Sequence, residues 1–193
     1  MSAKLKEIEV TSRAQLRAWL AAHADQTESV WIIRYKKAAG DRYLPYDDLV
    51  EEALCFGWVD SRPRALDAHR SMNLLSPRKP GSAWSKVNKA RVEKLIEGGL
   101  MEQRGLEKIE QAKKDGSWTF LDDVDNGIAP DDLIDALKGY PNALANFEAF
   151  PLSSKKIILE WIKNAKRPET RQKRIKETAE KAEDNVRANH YRR

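Results

Sequence analysis

The residues with chemistry to offer gather in two neighbouring stretches, residues 52–61 (EALCFGWVDS) and residues 77–88 (PRKPGSAWSKVN). In and between them stand Trp58, Asp60, Arg62, Arg78, Trp84, Ser85, Lys86 and Asn88. Arginine offers a planar fork to a carboxylate or a phosphate. Trp58 and Trp84 could wall a small-ligand pocket. The start of a helix after Ser82 would add free backbone N–H groups for an anion. Trp31, Tyr35 and Lys36, at the end of a strand, could reach the same ligand. The expected ligand-binding set is therefore Trp31, Tyr35, Lys36, Trp58, Asp60, Arg62, Arg78, Trp84, Ser85 and Asn88, taking a small anionic ligand or an acidic protein segment. Each has a plainer reading. A single tryptophan is more often core than ligand wall. Tyr35 and Lys36 equally suit a core aromatic beside a solvated lysine. Asp60 suits a salt bridge or a turn cap more often than a functional role.

Catalytic patterns are missing. There is no Gly-x-Ser-x-Gly elbow, and His23, His69 and His190 are far apart in sequence. Zinc-ligand spacing, a phosphate-binding loop and a dinucleotide fingerprint are all lacking, so no cofactor or metal is expected. Cys55, between Leu54 and Phe56, reads as a small buried apolar residue. Asp47, Asp48, Glu51 and Glu52 fall in the first turns of a helix, where the dipole and solvent account for them. Asp122, Asp123 and Asp125 resemble a calcium loop only superficially, because the glycine falls at 127 and no terminal glutamate follows. An enzyme would have to use Asp60, close to Arg62 and Arg78.

These residues need elements to hold them. Ser12 with Gln15 is a capping box opening a helix over 11–24. Residues 29–36 (SVWIIRYK) read as a strand with Trp31, Ile33 and Tyr35 on one face. Pro45 starts a second helix, and Gly57 stops it. A hairpin is expected over 62–76, turning near 67–70. Ser82 or Ser85 caps a third helix, which Gly98-Gly99 ends, and a fourth runs over 105–114. Residues 119–130 read as a connector. Further helices follow, one with an apolar stripe of Ile157, Ile158, Trp161, Ile162 and Ala165. Pro168 opens the last, whose end at 189–193 is expected to fray. The expected fold is α+β: a small antiparallel sheet packed by helices over 1–118, a connector at 119–130, and a helical region over 131–193.

The 193 residues carry 35 Lys and Arg against 30 Asp and Glu, a net charge of +5, which favours anionic partners without naming one. Nucleic acid is the alternative partner, through the basic residues Lys163, Lys166, Arg167, Arg171, Lys173, Arg174 and Lys176. Interleaved glutamates make a solvated helix face the plainer account. No run is long and apolar enough to insert in a membrane. The first ten residues lack a signal-peptide core, and a single cysteine suits a reducing compartment, so a cytoplasmic location is expected.

Three segments together resemble the YdeI/OmpD-associated, or bacteriocin-protection, family. They are Glu52 to Asp60, then Pro77-Arg78 with Trp84-Ser85-Lys86 and Asn88, then Ala165 to Arg171. The resemblance runs from about Trp19 to Ile175. It also takes in Trp31, Tyr35, Lys36, Gly116 and Trp118. It implies a non-enzymatic protein of stress or antimicrobial-peptide resistance, and it supplies no catalytic residues.

Overall fold

A computed structural model describes residues 5–189. His190 and most of the terminus expected to fray lie outside them. The chain divides into two compact units, residues 1–119 and 120–193.

The first unit is a four-stranded sheet with helices on one face. Its elements run β1 (Glu7–Val10), α1 (Arg13–Ala22), β2 (Val30–Tyr35), a 3-10 turn (Lys37–Arg42), α2 (Tyr46–Cys55), β3 (Trp58–Ala65), β4 (Arg70–Pro77), α3 (Lys86–Glu97) and α4 (Gln103–Asp115). Strand order is β1-β2-β4-β3. The β2–β4 and β4–β3 pairs are antiparallel, while β1 joins β2 in parallel. The sheet is thus α+β as expected, but mixed rather than purely antiparallel. A parallel neighbour needs a crossover, and α1 provides it. The edge strand β1 was missed in the sequence because it is four residues long, although Ile8 and Val10 alternate with Glu7 and Glu9.

Strand alternation divides the motif residues between two faces. Val10, Val30, Ile32, Leu75 and Trp58 join Leu16, Leu20, Leu49, Ala53 and Leu54 in one core beneath α1 and α2. Trp31, Ile33 and Tyr35 point to the other face. Helix α1 starts at Ser12, whose hydroxyl accepts the Gln15 N–H, while Gln15 Oε1 accepts the Thr11 N–H at 2.8 Å. At the other end of α2 the chain must reverse tightly into β3, and Gly57 does so with φ of 74°.

In the second unit the stretch expected to be a connector holds a helical turn, α5 (Asp122–Asp125), packed on α8. Buried Leu121 and Val124 give that stretch an apolar anchor, which a linker lacks. The remaining helices are α6 (Asp131–Lys138), α7 (Ala143–Ala149), α8 (Leu152–Lys163) and α9 (Pro168–Glu183). The buried stripe of α8 is Ser154, Ile158, Leu159 and Ile162, which keeps Ile158 and Ile162 of the expected set and replaces its other members. Ile157 is 42% exposed, and Trp161 lies under the Arg174 guanidinium. Hydrophobicity alone placed Ile158 and Ile162 correctly and added Ile157 and Trp161, because it could not show that small Ser154 and Leu159 are what α8 turns inward.

Candidate functional site

The sequence-expected set does not converge as one pocket. Trp58 and Trp84 are each 1% exposed and belong to the core. Their size and apolarity explain the burial, and Trp84 also lines a small pocket with Arg78, Asp115 and Ser117. Trp31, Tyr35 and Lys36 lie away from them. Tyr35 Oη donates to Glu9 at 2.7 Å, and its ring lies under Arg42. Lys36 Nζ donates to the Asp67 and Ala68 carbonyls, closing the hairpin turn. Ser85 caps α3, its hydroxyl accepting the Asn88 N–H at 3.3 Å. Arg62 is exposed and sits at the bulge in β3 with φ of 40°, a left-handed conformation uncommon outside glycine.

What does come together is a polar cluster on the helix side of the sheet, where the start of α2, with α3 packed on α2, meets β2, β3 and β4. Tyr46 is its centre. The phenol donates to Asp60 Oδ2 at 2.6 Å. Arg34 reaches its ring, 5.6 Å from the centroid, while Arg34 Nε donates to buried Asn73 at 3.2 Å. Arg91 donates to Asn88 Oδ1 at 3.2 Å and to Asp47 at 2.5 Å. Burial, then the bond to Asp60, pushes the Tyr46 phenol up to about 12, against the pull of Arg91 and Arg34. At neutral pH Tyr46 is therefore a donor. Asp60 and Asn88 were expected here. Arg34, Tyr46 and Arg91 were not, although Arg34 stands on the face of β2 shared with Val30 and Ile32, where a cation needs a partner.

Arg78 lies deeper. It is 3% exposed and stacks on Trp84, its guanidinium carbon 3.7 Å from the ring centroid. Nη1 donates to the Ala83 carbonyl at 3.0 Å and more weakly to that of Ser82. No carboxylate pairs with it among the described residues. Burial pulls its pKa down to about 10, opposed by the charge of Asp60. It stays cationic at neutral pH.

Another motif residue proves structural. Glu52, expected to be solvated, is 2% exposed and accepts Arg13 Nε at 2.7 Å and Arg17 Nη1 at 2.9 Å. The pair pins α1 to α2, and Arg17 continues to Glu102 at the start of α4. Cys55 is buried, and burial pushes its thiol up to about 11, the behaviour of a packing residue rather than a nucleophile.

The second unit spends much of its basic charge internally. Arg171 makes a two-pronged pair with Asp132 at 2.7 and 2.8 Å, and Lys163 meets Asp123 at 2.5 Å. Arg174 donates to the Trp161 carbonyl, and Lys176 pairs with Glu180. Lys163 and Arg171 also line a cavity of about 160 Å³ with Leu159 and Ile162. No group of three or more potential metal ligands occurs among the described residues, and none of their helices is long and apolar enough to cross a membrane.

Two family models match the chain. Residues 8–108 match one described as a domain of unknown function, DUF8412. Residues 126–185 match one described as bacteriocin-protection, YdeI or OmpD-associated. No curated protein and no solved structure matches. The motif at 165–171 lies inside the second match, whereas those at 52–60 and 77–88 lie inside the first. The first match spans just over half of the 193 residues, so the chain belongs to that family of unknown function, and its residues 126–185 carry a YdeI/OmpD-associated domain.

Proposed function

We propose that this is a non-enzymatic binding protein whose first unit takes a small anionic ligand, or an acidic segment of a partner, at the Tyr46 cluster. One observation carries the reading: Arg34 lies over the ring of an exposed phenol, Tyr46, that already donates to a carboxylate, Asp60, and the charge of Arg91, held by the adjoining Asp47, also acts on it. An incoming carboxylate or phosphate can take the place of Asp60 or Asp47 before the same donors. Asp47 is 69% exposed, so its hold on Arg91 is easily exchanged. The aromatic part of the site is then Tyr46, not the two tryptophans. A stress or bacteriocin-protection role, suggested by the description of the family matched at 126–185, would be exercised by binding rather than turnover. A cytoplasmic setting fits a chain with one buried cysteine.

The test is a thermal-shift and calorimetric screen of the full chain against carboxylates, sugar phosphates, nucleotides and short acidic peptides. Ligand at a hundred times its dissociation constant adds about 2.7 kcal/mol of stability. A hit that Tyr46→Phe and Arg91→Ala each weaken supports the site. A hit unaffected by both places the ligand elsewhere. Binding only to oligonucleotides, with steep salt dependence and loss on Lys166→Ala with Lys173→Ala, would favour the nucleic-acid reading instead.

A further inference from the structure

A cavity of about 160 Å³ opens among α5, α8 and α9 of the second unit. Its buried walls are Val124, Leu159 and Ile162, at 4%, 2% and 1% exposure. Pro130 and the exposed Ile128 carry the apolar lining out toward solvent. Lys163 and Arg171 add two cations to that lining, against the single carboxylate of Asp123.

Size and apolarity set the body of a ligand. A protein cavity of about 150 Å³ lined by leucine, isoleucine and phenylalanine takes benzene. The second unit's cavity is of that size, so it suits one small ring or one branched chain. It falls short of the roughly 300–1,000 Å³ that drug-sized ligands occupy. Water against Val124, Leu159 and Ile162 finds no side-chain partner there, and an apolar group displaces such water with a gain.

The cations set the head group. The Arg171 fork commits Nε and Nη2 to Asp132, at 2.7 and 2.8 Å, which leaves the two N–H groups of Nη1. Lys163 gives one of its three N–H groups to Asp123. Asp123 is 44% exposed, so its hold on the ammonium exchanges readily. Its Oδ1 also accepts the Val124 N–H at 2.8 Å, a bond that does not need Lys163. Asp132 stands outside this cavity and lines the groove beyond it, with Ala136 and Tyr140. An apolar cavity with one positive charge in excess suits a single carboxylate. A second charge on the ligand would be set against apolar walls at a high cost.

We propose that the second unit binds a small apolar monocarboxylate, of the size of benzoate or a branched-chain acid. Its hydrocarbon part lies among Val124, Leu159 and Ile162, and its carboxylate faces Lys163 and Arg171. The Tyr46 cluster belongs to the other unit, so the two sites can fail separately.

Methyl NMR spectra of the full chain, titrated with benzoate and with benzamide, test the site. Benzamide keeps the ring and removes the charge. The expected result is a saturable benzoate shift of the Val124, Ile128, Leu159 and Ile162 methyl signals, with a midpoint on the order of 1 mM, as so small a ligand allows. Benzamide is expected to bind roughly tenfold more weakly, and Lys163→Gln to weaken benzoate roughly tenfold while leaving benzamide unchanged, the loss of one bond to a charged group. Arg171→Gln serves if Lys163→Gln does not fold. Equal midpoints for benzoate and benzamide overturn the proposal, because the cations then select nothing. Benzoate shifts confined to the first unit overturn it as well, while supporting the Tyr46 reading. The absence of any shift at the four named residues overturns it without touching that reading.

Discussion

Replacing Glu52 by glutamine keeps its shape and removes its charge. The wild-type carboxylate accepts Arg13 Nε at 2.7 Å and Arg17 Nη1 at 2.9 Å while only 2% exposed. Bonds to charged groups contribute about 1.5–3 kcal/mol each. The two do not add in full, because both arginines are about a third exposed and keep other acids: Arg13 has Asp48 and Glu51, and Arg17 has Glu102. The expected cost of Glu52→Gln is therefore about 2–3 kcal/mol. The converse change is worse. Removing Arg13 and Arg17 together leaves a buried carboxylate without a cation, for about 3–5 kcal/mol. Urea denaturation followed by tryptophan fluorescence measures both. Five of the six tryptophans lie in the first unit, so a Trp161→Phe background isolates its transition. The urea slope should stay constant while the midpoint moves. A Glu52→Gln cost below about 0.5 kcal/mol, the range of ordinary surface changes, would refute the assignment of Glu52 as the pin between α1 and α2.

Gly105 of α4 packs on the end of α2, where an added Cβ would lie 2.3 Å from the Cys55 carbonyl oxygen and 2.8 Å from that of Leu54. Gly105→Ala should destabilise the first unit by about 1–3 kcal/mol despite alanine's better helix propensity, and a denaturant midpoint at or above wild type would contradict the close approach. In the second unit, Ile158→Ala should cost about 2–5 kcal/mol and Ile157→Ala under about 0.5, a contrast that urea melts of the two variants read directly. The hydrogen bond and charge of Arg171 hold the Asp132 carboxyl below its ordinary 3.8. A depressed carboxyl stabilises the fold above its unfolded pKa, and that contribution is lost as pH falls through the folded value. Arg171→Ala should raise the Asp132 pKa toward the ordinary range in an NMR titration and bring acid unfolding of the second unit to higher pH. An unchanged Asp132 titration would rule the pair out as its cause.

The sequence by itself determined the class of fold and most of its punctuation. Ser12 with Gln15, Pro45, Gly57 and Pro168 start or stop elements through forces that act within a few residues, so local spacing reveals them; between Ser82 and Ser85 as the cap of α3 the structure chose Ser85. The β2 strand follows from alternation for the same reason, and the hairpin expected over 62–76 stands in the structure with strands at 58–65 and 70–77. The partners of charged groups were decided by tertiary structure alone. Glu52 meets Arg13 across 39 residues, Tyr46 meets Asp60 across 14, and Arg91 meets Asp47 across 44. Burial of a charge depends on what the sheet brings to it, and a sequence window around Glu52 holds neither arginine. The same holds for the tryptophans: their types suggested a ligand wall, but only the packing of α2, α3 and α4 could show that Trp58 and Trp84 are core. Arg78 was legible as a cation in a motif. That it is buried against Trp84 is a fact of three dimensions, because it takes the end of β4 and the 78–84 loop together to cover it.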